Sequence, residues 1–267
     1  MLLKKEWCGH QLHQKEQEHG DRMEDRRIGY FVLEEGASAR LHWWNRWKPS
    51  VVTVDMAEEE SLYCIRIPEY DKGKQRWQVE RLRETLETAL PQRECQEWYL
   101  QPALARRLML DERLPSFGLL QRLLRQITRW EHLIYIGVEE EWDEGIRLLD
   151  LIQKYLPQIN EVTLVTGRPQ VYQELAEEIY EAYGIPTATV LRLEKSLGKA
   201  NSTVILDGRK EYRIPYPVLP ERAIYVDLWS EEKKREILAK MRRDITYMSI
   251  VKFLDTLVKN GYNTIVN

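Results

Sequence analysis

His132-Leu-Ile-Tyr-Ile-Gly137 runs directly into Val138-Glu-Glu-Glu-Trp-Asp-Glu-Gly145, and that join decides the fold. Four consecutive apolar positions, Leu133 to Ile136, before a glycine read as a buried strand. The segment from Asp143 to Tyr155 reads as a helix. The same alternation then continues. Strands are expected at Leu133–Ile136, Val162–Val165, Thr187–Leu191, Thr203–Leu206 and Ala223–Val226, with a second helix at Pro169–Tyr183. The strands are near-continuous apolar runs, as expected when both faces of a parallel sheet are covered. Strand and helix in alternation predict an α/β domain with a doubly wound parallel sheet. Gly184 after the second helix predicts a left-handed C-cap, and Pro186 enforces the stop.

The turn after the first strand carries the chemistry. A dinucleotide-binding fold places G-x-G-x-x-G there, so that bare N–H groups at a helix start hold a pyrophosphate. Here only Gly137 stands in place, and Glu139, Glu140, Glu141, Asp143 and Glu144 fill the turn. Their charge and bulk oppose an anion at that helix end. In open α/β sheets, ligands bind at the carboxyl ends of the strands. That edge gathers Gly137, Glu139, Thr166, Gly167, Arg168, Asp207, Gly208 and Asp227, the candidate ligand-binding residues. The converging carboxylates suit a divalent cation or a cationic ligand. They equally suit capping helices and pairing with Arg209 or Lys210. No Ser-His-Asp or Cys-His set is present, and His132 at a strand start reads as structural.

Val162-Thr-Leu-Val-Thr-Gly-Arg168, the helix after it, Tyr183-Gly-Ile-Pro186, Leu197-Gly-Lys-Ala-Asn-Ser-Thr-Val-Ile-Leu-Asp207 and Pro220-Glu-Arg-Ala-Ile-Tyr-Val-Asp227 together resemble the cofactor-binding domain of the shikimate dehydrogenase and glutamyl-tRNA reductase group. The resemblance spans about a hundred residues and implies a degenerate Rossmann-like, NAD(P)-binding-like domain. It places Arg168 where a family member grips the 2′-phosphate of NADP. The alternative for Arg168 is pairing with the acidic turn. No counterpart of the group's substrate-domain catalytic residues occurs in residues 1–130.

Outside this region the chain divides into a polar arm (1–27), a smaller α+β N-terminal domain (28–130), the Rossmann-like domain (131–248) and a C-terminal helix (249–267) packing on the body. Ile28–Leu33, Val51–Val54 and Ser61–Ile67 read as strands, and Glu97–Gln101 as a further one. Gln75–Leu90, Ala103–Leu110 and Ser116–Trp130 read as helices, as do Ser230–Arg243 and Ser249–Gly261. In the arm, Cys8, His10 and His13 have the residue types of a zinc site. No second ligand pair is present after them, so a polar arm without metal is expected. Trp43, Trp44 and Trp47 beside basic residues suit core plugs or an interdomain contact better than a stacking surface.

Composition narrows the classes. The chain has 267 residues, 43% apolar and 31% charged, with a net charge of −3 and three widely spaced cysteines. The cysteines read as reduced thiols. No apolar run approaches a membrane span, and no signal peptide is expected from the start Met1-Leu-Leu-Lys-Lys-Glu-Trp, which turns polar at once. A cytoplasmic protein without membrane or nucleic-acid partners is expected. Its partner would be a small molecule or protein, with room for a homo-oligomer. Three functions fit: a ligand-binding or regulatory protein without hydride transfer, an NADP-dependent oxidoreductase with an atypical phosphate loop, and a metal-dependent enzyme using the acidic edge. The acidic turn favours the first.

Overall fold

The computed structural model describes residues 26–34, 50–57, 60–68, 97–107, 117–137, 151–193, 202–210 and 216–265. The acidic turn, the tryptophan cluster, the Cys8–His13 arm and the helix expected at Gln75–Leu90 lie outside them.

The first half contributes a four-stranded sheet from β1 (Arg26–Glu34), β2 (Ser50–Ala57), β3 (Glu60–Pro68) and β4 (Glu97–Leu100), in the order β2-β3-β1-β4. β1 runs parallel to β3 and β4, and β2 antiparallel to β3. Two short helices come next, α1 (Pro102–Arg107) and α2 (Phe117–Leu124). α2 ends six residues before the helix expected from the sequence. It continues as a turn and then an irregular segment in which Ile127 and Trp130 are buried, and Trp130 donates its indole N–H to the Ile127 carbonyl at 3.1 Å. Burying an indole at the entry to the next strand outweighs one more helical turn.

The second half forms a six-stranded sheet. Its strands are β5 (His132–Ile136), β6 (Glu161–Val165), β7 (Thr187–Val190), β8 (Thr203–Asp207), β9 (Ile224–Asp227) and β10 (Thr246–Ser249). All pair in parallel, in the order β10-β9-β8-β5-β6-β7. Counted within this half, the order is 3-2-1-4-5-6, the doubly wound Rossmann arrangement, with its switch point between β5 and β8. The expected five strands are present. The sixth, β10, carries no alternation long enough to read from sequence. It forms because the chain leaving β9 returns through a helix to the open edge of β9.

Side chains alternate between two cores, as the period of a strand requires. Leu133, Tyr135, Val162, Leu164, Val204, Leu206 and Val226 face one core. It is covered by α2, by α3 (Gln173–Tyr183) and by α5 (Ile250–Ile265). The same core takes in Tyr30 and Tyr99 of the first sheet, and Tyr30 donates its hydroxyl to Asp255 of α5 at 3.0 Å. Ile134, Ile136, Ile205 and Tyr225 face the other core, with Leu238 of α4 (Glu232–Met241). α3 ends at Gly184 with φ +68°, whose N–H reaches the Tyr180 carbonyl at 2.8 Å. α4 begins two residues later than expected, because Ser230 has φ +54° and cannot join a right-handed helix. Among the described residues no helix is long and apolar enough to cross a membrane.

Candidate functional site at the carboxyl edge of the second sheet

Strand register builds the site. Asp207 pairs with Asp227 across β8 and β9, and Ile205 with Tyr225 two residues earlier. Residues two apart on a strand share a face. Asp207 and Asp227 therefore project toward the core that α4 covers. On α4, Leu238 is buried in that core, and Lys234 lies one turn before it on the same face. The Lys234 ammonium descends between the two strand ends. It lies 3.0 Å from Asp207 Oδ2 and 3.1 Å from Asp227 Oδ1, with all three side chains fully buried. It also donates to the Arg209 carbonyl. The cation for which the acidic edge is suited is supplied by the chain itself.

The two carboxylates are further occupied by hydrogen bonds. Asp227 accepts the backbone N–H groups of Trp229 (3.1 Å) and Glu231 (2.6 Å), fixing the turn into α4, and the Tyr247 hydroxyl at 2.9 Å. Asp207 accepts the Tyr225 hydroxyl, the Arg209 N–H at 3.0 Å and Arg209 Nε at 3.5 Å. The Tyr225 and Tyr247 rings stack with centroids 6.3 Å apart. Burial raises the Asp227 pKa to about 6, with the Lys234 charge opposing. Burial also raises the phenols of Tyr225, Tyr247 and Tyr216, and neighbouring aspartate charge adds to it.

The switch point itself is narrowed by the chain's own side chains. Gly137 closes β5 with φ +73°, and the Arg209 side chain lies across it, its Cγ occupying the place where a Cβ would stand. Gly208 is equally confined. A Cβ there would stand 2.9 Å from the Tyr135 hydroxyl and 3.1 Å from the Gly137 carbonyl. Trp229 closes the far side, donating its indole N–H to the Gly208 carbonyl at 2.7 Å, with Lys210 over its ring at 5.2 Å. Arg209 Nη2 is buried and has no hydrogen-bond partner among the described residues.

On the other side of β5, Thr166 is buried at the end of β6 and its hydroxyl accepts the Arg168 N–H at 3.0 Å. Gly167 and Arg168 are exposed. The structure thus brings Gly137, Asp207, Gly208 and Asp227 together at one junction. It sets Thr166, Gly167 and Arg168 at the neighbouring strand end, and Glu139 lies outside the described residues. Among the described residues no group of three or more acidic, histidine or cysteine side chains could hold a metal ion.

No protein-family model matches the chain, and no curated protein matches its sequence. Three solved structures are similar to it over most of its length. The ligand-free 5-ketofructose reductase of Gluconobacter sp. strain CHM43 is 10% identical, with a TM-score of 0.37 over 90% of this chain and 92% of that one. A chorismate mutase/shikimate 5-dehydrogenase fusion protein from Clostridium acetobutylicum is 12% identical, with a TM-score of 0.34 over 90% of each chain. A putative aspartate carbamoyltransferase of Leishmania major Friedlin is 10% identical, with a TM-score of 0.29 over 89% of this chain and 76% of that one. Such scores assign no residue a role, and the fold rests on the strand order.

Sequence reading missed Lys234, Tyr225, Tyr247 and Trp229. Lys234 sits in Glu231-Glu-Lys-Lys-Arg-Glu236, which reads as a solvated helical face. One signal was available: Tyr225-Val-Asp227 places a phenol and a carboxylate on the same strand face.

Proposed function

We propose that the second half of this chain is a Rossmann-like ligand-binding or regulatory module that does not transfer hydride. The observation supporting this is the Arg209 side chain lying across Gly137, in the crevice where a dinucleotide would lay its pyrophosphate. The two aspartates at the neighbouring strand ends are engaged by Lys234, two phenols and backbone N–H groups, so neither is free to act as a base or metal ligand. Calorimetry with NADPH and NADH, together with an absorbance assay for NADPH oxidation, tests the reading. No binding tighter than millimolar and no oxidation are expected. Micromolar NADPH binding would overturn it.

That outcome would promote a second reading, an NADP-dependent oxidoreductase with an atypical phosphate loop. Arg168 supports it, standing exposed at the end of β6 on a turn fixed by Thr166, where a 2′-phosphate would lie. Changing Glu139 to Gly and Glu140 to Ala separates the causes. If like charge excludes the cofactor, this variant gains NADP affinity, and Arg168→Ala removes the gain.

A further inference from the structure

We infer that Arg209 is an oxyanion-recognition residue, taking one phosphoryl or carboxylate group of a small ligand at the junction of β5 and β8. The inference rests on the ligand-binding reading above and names the chemistry the ligand must present.

Arg209 lies just past the end of β8, beside the end of β5, so it stands at the switch point, where doubly wound sheets bind ligands. Its backbone is held from both sides. The N–H donates to Asp207 at 3.0 Å, and the carbonyl accepts the buried Lys234 ammonium. A guanidinium on so fixed a backbone is pre-organised, and little freedom is lost when it binds. The side chain is three-quarters covered, yet its contact with Asp207 is a single long one, from Nε at 3.5 Å. Asp207 already faces Lys234 at 3.0 Å and the Tyr225 hydroxyl, so it does not offer Arg209 the two-oxygen fork a guanidinium prefers. Nη2 is left buried with no acceptor among the described residues. Buried guanidinium N–H groups are almost always satisfied, and a ligand oxyanion would supply the acceptor that this one lacks. Only glycine at position 137 leaves room for this side-chain path.

The sequence supplies a competitor: Glu139 lies two residues beyond Gly137. Four proteins separate the cases: the native chain, Arg209→Gln, Glu139→Gln/Glu140→Gln, and Arg235→Gln. Arg235 is exposed and pairs with Glu232 on α4, so its variant is a control for loss of a positive charge. Each is titrated by calorimetry and thermal shift with inorganic phosphate, phenyl phosphate and malonate at constant ionic strength. The native chain and Arg235→Gln are expected to bind at least one of the three, with at least tenfold weaker binding in Arg209→Gln. Whether the phosphates or malonate bind identifies the oxyanion. Equal binding by Arg209→Gln, or no binding by the native chain, overturns the inference. Binding only by the Glu139→Gln/Glu140→Gln variant also overturns it, because the chain's own carboxylates would then be the natural occupant. NADPH turnover would refute the absence of hydride transfer and leave these oxyanion results standing on their own.

Discussion

Lys234→Met should be among the most damaging single changes in this protein. The methionine keeps most of the apolar stem of this fully buried side chain. What goes is one ammonium facing two carboxylates at 3.0 and 3.1 Å, in a place where all three side chains are fully buried. Removing one partner of a buried ion pair costs about 3–5 kcal/mol, because the other charge stays buried and unanswered. Here two carboxylates are left. Domain stabilities are about 5–15 kcal/mol, so about a fifth or more of the total is at stake, a drop of roughly 6–20 °C in Tm. Urea unfolding monitored by tryptophan fluorescence measures it. The loss should depend on pH with a definite sign. Burial already raises Asp227 from its ordinary 3.8 to about 6 against the opposition of Lys234. Without that ammonium the value rises further. A carboxylate with a raised folded pKa contributes stability that is present at low pH and lost as pH rises through the unfolded value toward and past the folded one. The deficit of Lys234→Met should therefore shrink as pH falls from 8 to 5. Adding Asp207→Asn and Asp227→Asn should recover at least half of it, since a neutral junction leaves no orphaned charge. A loss below about 1 kcal/mol, or one unchanged by pH and by the asparagines, would refute the argument that this triad is an electrostatic unit.

Three further outcomes are expected from the same structure. Gly137→Ala should cost about 1–3 kcal/mol in urea unfolding, since φ is +73° and the Arg209 side chain occupies the Cβ position, whereas Gly184→Ala, with φ +68° and open space around it, should cost about 1 kcal/mol. His132 is buried against the Thr163 hydroxyl at 3.0 Å, and burial lowers its pKa despite Glu161 nearby. Its neutral form is favoured, so its contribution is present above about pH 6.5 and falls by up to about 1.4 kcal/mol per pH unit below that; urea midpoints should show this slope, and His132→Gln should flatten it. Arg242 donates to the carbonyls of Tyr216, Leu219 and Pro220 and forks onto Asp244. Arg242→Ala should cost about 1–2 kcal/mol, and lysine should not rescue it, because one ammonium cannot reach three carbonyls and a carboxylate at once.

The sequence by itself determined the class of the second half. Near-continuous apolar strands separated by helices signal a parallel sheet covered on both faces, and five of its six strands were legible because each is a short run of Val, Ile, Leu, Thr, Ala or Tyr between turn residues. Gly184 was legible as a helix cap because few other residues tolerate a positive φ. The acidic turn was visible as a departure from a phosphate-binding loop because that loop's function depends on its glycines. Strand order was not legible, since periodicity says which face a residue takes and nothing about which strand lies beside which. The tertiary structure alone brought Asp207 beside Asp227, laid Arg209 over Gly137, and sent Lys234 from a run of charges into the core. A lysine among Glu, Lys and Arg reads as solvated at every local level. Only the docking of α4 on the sheet, with Lys234 one turn from buried Leu238, places its ammonium between two fully buried carboxylates.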